Sequence, residues 1–261
     1  MTRSTRGRAA LAALVLLGGL PSSAAVAAQS AAPVGQLSGP SLPGALSGPK
    51  LAPAKATGTS PNWVGYAATG GGFTSVESTW IEPTVDCTKG DGSVVFWVGL
   101  DGWGSNAVEQ TGTEAQCAGG TASYRAWWET FPVNSVTPYA DRIEPGDVLY
   151  ANVASTGGQS YDLYLADQTQ GWVENNPVTA SSAATDASAE IVAETPGIGD
   201  NAYTGLPDFL TAQFTGAEMN GQPLTAGNPV GISMVRNGST LATVSDLVGG
   251  TDFTVNWQGN S

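Results

Sequence analysis

Val94-Val95-Phe96-Trp97-Val98-Gly99-Leu100-Asp101-Gly102 is a run of β-branched and aromatic residues closed by an Asp-Gly turn, and its reading sets that of the whole chain. Similar runs recur on both sides of it, at Asn62–Ala68, Phe73–Ile81, Tyr124–Phe131, Val148–Val153 and Tyr161–Ala166. They continue at Ala189–Glu194, Val230–Val235, Leu241–Val244 and Phe253–Trp257. Clusters of Gly, Asn, Asp, Pro and Ser separate them, and Gly70-Gly71-Gly72 reads as a hairpin tip. No stretch in this region sustains a capped apolar stripe of helical period. Many short strands at this spacing predict an all-β chain, a sandwich or barrel of antiparallel sheets.

Upstream of the first run the character of the sequence differs. Arg3, Arg6 and Arg8 precede an apolar Ala9–Leu20, and small residues at Val26, Ala27 and Ala28 would suit a signal peptidase. The apolar run is shorter than the ~20 residues a membrane-spanning helix needs. Residues 1–28 therefore read as a secretory signal and the protein as extracellular. Residues 29–58 are almost entirely Ala, Pro, Ser, Gly and Leu, with Lys50 and Lys55 as the only charges, a composition that cannot offset its chain entropy. They read as a disordered linker or a pro-segment removed on activation.

Residues 59–261 form the expected single folded domain of roughly 200 residues, ample for one core. All 22 acidic residues fall here, against Lys89, Arg125, Arg142 and Arg236 alone among the basic ones. Such a surface argues against nucleic-acid and anionic-membrane partners, which favour basic patches. It also suggests tolerance of acid, since few carboxylates have cationic partners to lose on protonation. Cys87 and Cys117, in an exported chain, are expected to form one structural disulfide, worth roughly 3 kcal/mol.

The chain contains no His. That removes Ser-His-Asp and Cys-His catalysis and His-ligated zinc, and no metal site or cofactor motif is present in the sequence. There is also no Asp-Thr-Gly or Asp-Ser-Gly of the aspartic peptidase kind. If the protein is an enzyme, its titrating group is a carboxyl. On Ala189–Glu194, strand alternation puts Glu190, Val192 and Glu194 on one face. Two acids so placed are most simply read as solvated. On Tyr124–Phe131, Arg125, Trp127, Glu129 and Phe131 share a face, read as a core edge unless it lines a concave surface.

Taken together, Asn62-Trp63-Val64-Gly65, Phe73–Pro83, Trp97–Gly102, Gln110-Thr111-Gly112, Ala126–Pro132, Gly146-Asp147 and Ala189–Glu194 resemble, in order, the glutamic peptidases, or eqolisins. The resemblance implies a concanavalin-like antiparallel β-sandwich of two large curved sheets, with substrate lying across a concave face. It puts the catalytic glutamine on Gln110 and the catalytic glutamate on Glu194. Trp63, Trp97, Asp101, Glu129 and Phe131 fall on positions that bind substrate or support the site. Glu109 departs from the family pattern, in which an aliphatic residue usually precedes the glutamine.

The implied activity is acid endopeptidase action on protein or peptide substrates by a secreted monomer, insensitive to pepstatin. A carboxylate can take a proton from water and return it to the leaving amine, and an unperturbed Glu near ~4.3 suits an acid milieu. A Gln amide can stabilise the oxyanion. The alternatives are a non-catalytic carbohydrate-binding sandwich with exposed Trp residues and a glycosidase built on two carboxyls.

Overall fold

The computed structural model describes residues 57–199 and 202–260. The signal and nearly all of the low-complexity stretch lie outside these residues. In chain order the strands begin with β1 (Thr57–Ser60), β2 (Trp63–Thr69), β3 (Ser75–Ile81), β4 (Gly92–Leu100), β5 (Val108–Ala118) and β6 (Thr121–Phe131). Next come β7 (Asn134–Pro138), β8 (Val148–Gly157), β9 (Ser160–Asp167), β10 (Trp172–Thr179), β11 (Ser188–Glu194) and β12 (Gly197–Gly199). The last are β13 (Ala202–Tyr203), β14 (Thr211–Met219), β15 (Gln222–Pro223), β16 (Val230–Arg236), β17 (Ser239–Val244) and β18 (Phe253–Trp257). Two short 3-10 turns, Cys87–Lys89 and Leu224–Gly227, are the helical pieces among the described residues.

One hydrogen-bonded path runs β10-β9-β8-β3-β14-β18-β17-β16-β2-β11-β4-β5-β6-β7, with β1 added to β16 and β15 to β14. The path doubles over, so that β4 and β5 pack on β8 and β9, and β11 packs on β3. This is an antiparallel β-sandwich, with β1 and β16 as a parallel exception. The layer containing β8 and β9 obeys simple alternation: Leu149, Ala151, Val153, Leu163 and Leu165 point into the core, whereas Tyr150, Asn152 and Tyr164 are half-exposed outside. Strands β4 and β11 are different, because almost every residue on both of their faces is buried. Their inner face joins the main core around Phe96, Val98, Leu100, Ala189, Ile191 and Ala193. Their outer face builds a second cluster of Trp63, Ala67, Val95, Trp97, Val108, Trp127, Val192 and Ile232. The outer face of these strands is therefore covered as well, largely by aromatic side chains.

Gly70–Gly72 is not the hairpin tip expected from sequence. These glycines have positive φ, but they connect β2 to β3, which are not hydrogen-bonded neighbours. The same residue type serves a crossover between layers. Cys87 and Cys117 are bonded, tying the 3-10 turn before β4 to the end of β5. Strand β5 is absent from the hydropathy reading, because its buried residues include Glu109, Gln110, Thr111, Thr113 and Glu114.

Candidate active site

Register fixes which side chains share the outer face. Glu194 stands between Trp63 and Val95, and Val192 between Gly65 and Trp97. Trp97 in turn opposes Gly112, which opposes Trp127. The next row is Glu190, Gly99, Gln110 and Glu129. Gln110 and Glu194 are therefore on one face, on strands separated by β4, and staggered along the strand direction.

Trp97 joins them. Its indole Nε1 donates to Glu194 Oε2 at 3.0 Å. The far edge of the ring lies against Gly99, where an added Cβ would sit 2.8 Å from Trp97 Cζ3 and 3.0 Å from Gln110 Cβ. Gly112 is needed for the same reason: a Cβ there would be 2.1 Å from Phe96 O and 2.7 Å from Trp97 Cβ. The two glycines let the indole lie flat across the sheet, with the proposed base at one edge and the glutamine beside the other.

Glu194 is fully buried, with both oxygens held by N–H donors. Besides Trp97, Asn62 Nδ2 donates to Oε1 at 2.9 Å. Asn62 is itself oriented, since Ser60 Oγ accepts from the backbone N–H of Asn62 and Trp63 and donates its own proton to Asn62 Oδ1 at 3.1 Å. Trp63 packs edge-on to Trp97 with ring centroids 5.0 Å apart. Its indole N–H favours the charged form of Glu194 without completing a hydrogen bond of full geometry. Burial outweighs these donors and pushes the carboxyl up to about 8, so the expectation of an unperturbed glutamate does not hold.

Gln110 Nε2 donates to Glu129 Oε2 at 2.6 Å, and both groups are buried. Gln110 Oε1 and Glu129 Oε1 have no hydrogen-bond partner among the described residues. Burial pushes Glu129 up to about 8, and the charge of Glu129 in turn helps to raise Glu194. Phe131 and the half-buried Trp103 and Val136 pack against the aromatic cluster and complete its wall.

Asp101 and Glu190 hold the backbone around β4 and β11. Asp101, at φ 69°, accepts from the backbone N–H of Thr185, Asp186 and Ala187 at 2.7–2.8 Å, which pins the segment leading into β11. Glu190 is not the solvated acid expected from its strand face. It is wholly buried and accepts from Gly102 N at 3.2 Å and Trp103 N at 3.0 Å, so it holds the turn after β4. Sequence reasoning also missed Asn62 as a ligand of Glu194. A polar residue just ahead of an apolar strand reads as a turn residue, and only the long-range contact reveals its second use. No group of three or more His, Cys, Asp or Glu among the described residues is placed to hold a metal ion.

The arrangement offers a carboxyl oriented by fixed donors, an amide with unused polar capacity and aromatic walls. A family model described as the peptidase A4 family matches residues 61–257. Among solved structures, scytalido-glutamic peptidase with a peptide-based transition-state analogue is 22% identical, with a TM-score of 0.66, over 76% of this chain and 98% of that one. SCP-B, a member of the eqolisin family in complex with the tripeptide Ala-Ile-His, is 22% identical, with a TM-score of 0.64 over 76% and 98% of the two chains. Aspergilloglutamic peptidase from Aspergillus niger is 25% identical, with a TM-score of 0.54 over 64% and 99%. No curated protein matches the chain.

Proposed function

The chain belongs to the peptidase A4 family, and from that premise we propose that it is an endopeptidase whose Glu194 and Gln110 hydrolyse peptide bonds without a covalent intermediate. Glu194 takes a proton from water as the water oxygen attacks the scissile carbonyl carbon. A Gln110 N–H stabilises the oxyanion that forms. Glu194 then passes the proton to the amide nitrogen, the C–N bond breaks, and a carboxylic acid and an amine leave. Proton transfer of this kind contributes about 10²–10⁴-fold, and an oxyanion donor roughly 3–4 kcal/mol.

The observation that carries this reading is the Trp97 bridge. One indole contacts the base through Nε1 and borders the glutamine at its other edge, so both groups converge on one walled surface. The Arg-led apolar segment at the N-terminus supports secretion, and the low-complexity stretch after it supports a pro-segment removed from the active enzyme. Survival of the fold in acid is supported by the scarcity of ion pairs that acid could break: Arg125–Glu114 and Arg142–Glu144 are those among the described residues. With no Asp-Thr-Gly or Asp-Ser-Gly, pepstatin should leave the enzyme untouched.

The test is digestion of casein by purified mature protein across acid pH, with and without pepstatin, beside a panel of polysaccharides. Pepstatin-resistant cleavage at internal peptide bonds is the expected result. Polysaccharide binding or hydrolysis with casein left intact would overturn it.

A further inference from the structure

The two amides of the site differ in what fixes them. Asn62 cannot turn over freely, because Ser60 Oγ uses both neighbouring backbone N–H groups as donors and its own proton on Asn62 Oδ1. Its Nδ2 is thereby committed to Glu194, and the Trp97 indole is a donor in any state. Glu194 is thus built to be an acceptor at both oxygens. Gln110 has no such anchor. Among the described residues its buried Oε1 has no hydrogen-bond partner, its Nε2 donates to Glu129, and the other oxygen of Glu129 has no partner either.

An amide against a carboxyl takes the orientation that the carboxyl dictates. An ionised Glu129 can only accept, which draws Gln110 Nε2 to it and leaves Oε1 pointing away from Glu129. An acceptor presented to the substrate repels a developing oxyanion. A protonated Glu129 can donate its O–H to Gln110 Oε1, which turns the NH₂ group, with its two donors, away from Glu129 and toward the substrate. We propose that Glu129 is a positioning residue whose proton sets the orientation of the Gln110 amide, and that the working site carries one proton on the Glu129–Glu194 pair, held by Glu129. This inference rests on the Gln110–Glu194 reading of catalysis and names the protonation state in which that chemistry runs.

The surroundings of Glu129 agree. The groups bearing on it are the Gln110 amide from β5, the Val136 backbone amide from β7 and the Glu194 carboxyl on β11. Arg125, on its own strand, is paired with Glu114. Two buried like charges on one surface do not both ionise easily, so the pair loses its protons in two steps. The first proton comes from Glu194, which has fixed donors at both oxygens. The second comes from Glu129, and its loss turns the amide. Activity should rise with the first step and fall with the second.

The experiment compares pH profiles of kcat/KM for the wild type, Glu129→Gln, Glu129→Leu, Gln110→Ala and Glu194→Gln, over the range where circular dichroism shows each folded. Glu129→Gln keeps a neutral donor for Gln110 Oε1 at every pH. It should lose up to about tenfold at the optimum, keep the rising limb and lose the falling one. Glu129→Leu removes the donor and should fall by at least about 10²-fold at all pH. A falling limb unchanged in Glu129→Gln overturns the proposal, as does loss of its rising limb, which would put the shared proton on Glu194. If instead Gln110→Ala and Glu194→Gln retain activity, the underlying catalytic reading is what fails.

Discussion

Glu109 is the residue whose replacement has the most calculable effect. It lies beside Gln110 in sequence but on the opposite face of β5, wholly buried, with neither carboxyl oxygen hydrogen-bonded among the described residues. Burial, reinforced by the charges of Asp101, Asp186 and Glu190, pushes it from 4.5 up to about 9. A raised carboxyl contributes its full share to stability below the unfolded value, and that share is lost as pH rises toward the folded value. At pH 7 the unfolded chain has released this proton and the folded protein has not. The interval from 4.5 to pH 7 then costs about 3 kcal/mol at 1.36 kcal/mol per pH unit. Glu109→Gln cannot titrate. Relative to the wild type it should gain about 3 kcal/mol between about pH 4 and pH 7, roughly 6–12 °C in melting temperature for a domain of this size. Urea unfolding of both proteins at the two pH values measures this directly, with the offset at pH 4 subtracted. If stability falls equally with pH in both, the buried neutral carboxyl is not there and the reasoning is wrong.

Three further outcomes follow from the geometry. Trp97→Phe removes the N–H donor to Glu194 Oε2, so the carboxyl should rise further and the acid limb of kcat/KM should move to higher pH; an unmoved limb would deny Trp97 this role. Gly112→Ala drives a Cβ into Phe96 O and the Trp97 side chain, and should destabilise by roughly 3 kcal/mol or more, visible as a lowered melting temperature or loss of soluble protein. Replacing Cys87 and Cys117 together with Ser opens a link across a sequence separation of 30, which should cost about 3–4 kcal/mol in chemical denaturation while turnover survives.

Several strands with alternating or wholly apolar faces were legible in the sequence to within two residues: β4, β9, β11, β16 and β18 fall where β-branched and aromatic runs recur, whereas β8 runs four residues beyond its expected end. Strand β5 was not, although it carries Gln110. It buries Glu109, Thr111 and Thr113 toward the core, and a hydropathy pattern reads such residues as loop. Strand β10, Trp172–Thr179, was also missed; it is an edge strand whose alternate exposure and Pro177 resemble an irregular segment. For the site, family resemblance pointed to Gln110 and Glu194. What it could not supply was environment. Whether Glu190 and Glu194 are solvated or buried depends on what packs over the sheet, and only tertiary structure shows that both are sealed and that Asn62 reaches across from the start of β2.

Glu190 supports the Gly102–Trp103 turn by accepting from two backbone N–H groups, so Glu190→Gln should lower stability, read as a lower melting temperature.

Turnover of an internally quenched peptide by Glu194→Gln, with folding confirmed by circular dichroism, tests the proton-transfer role of Glu194. The substitution keeps the size of the side chain, but it leaves no group at this position able to accept a proton from water. Its kcat should fall by at least about 10³-fold at every pH where the variant is folded. A folded variant that turns the peptide over at the wild-type rate would contradict it.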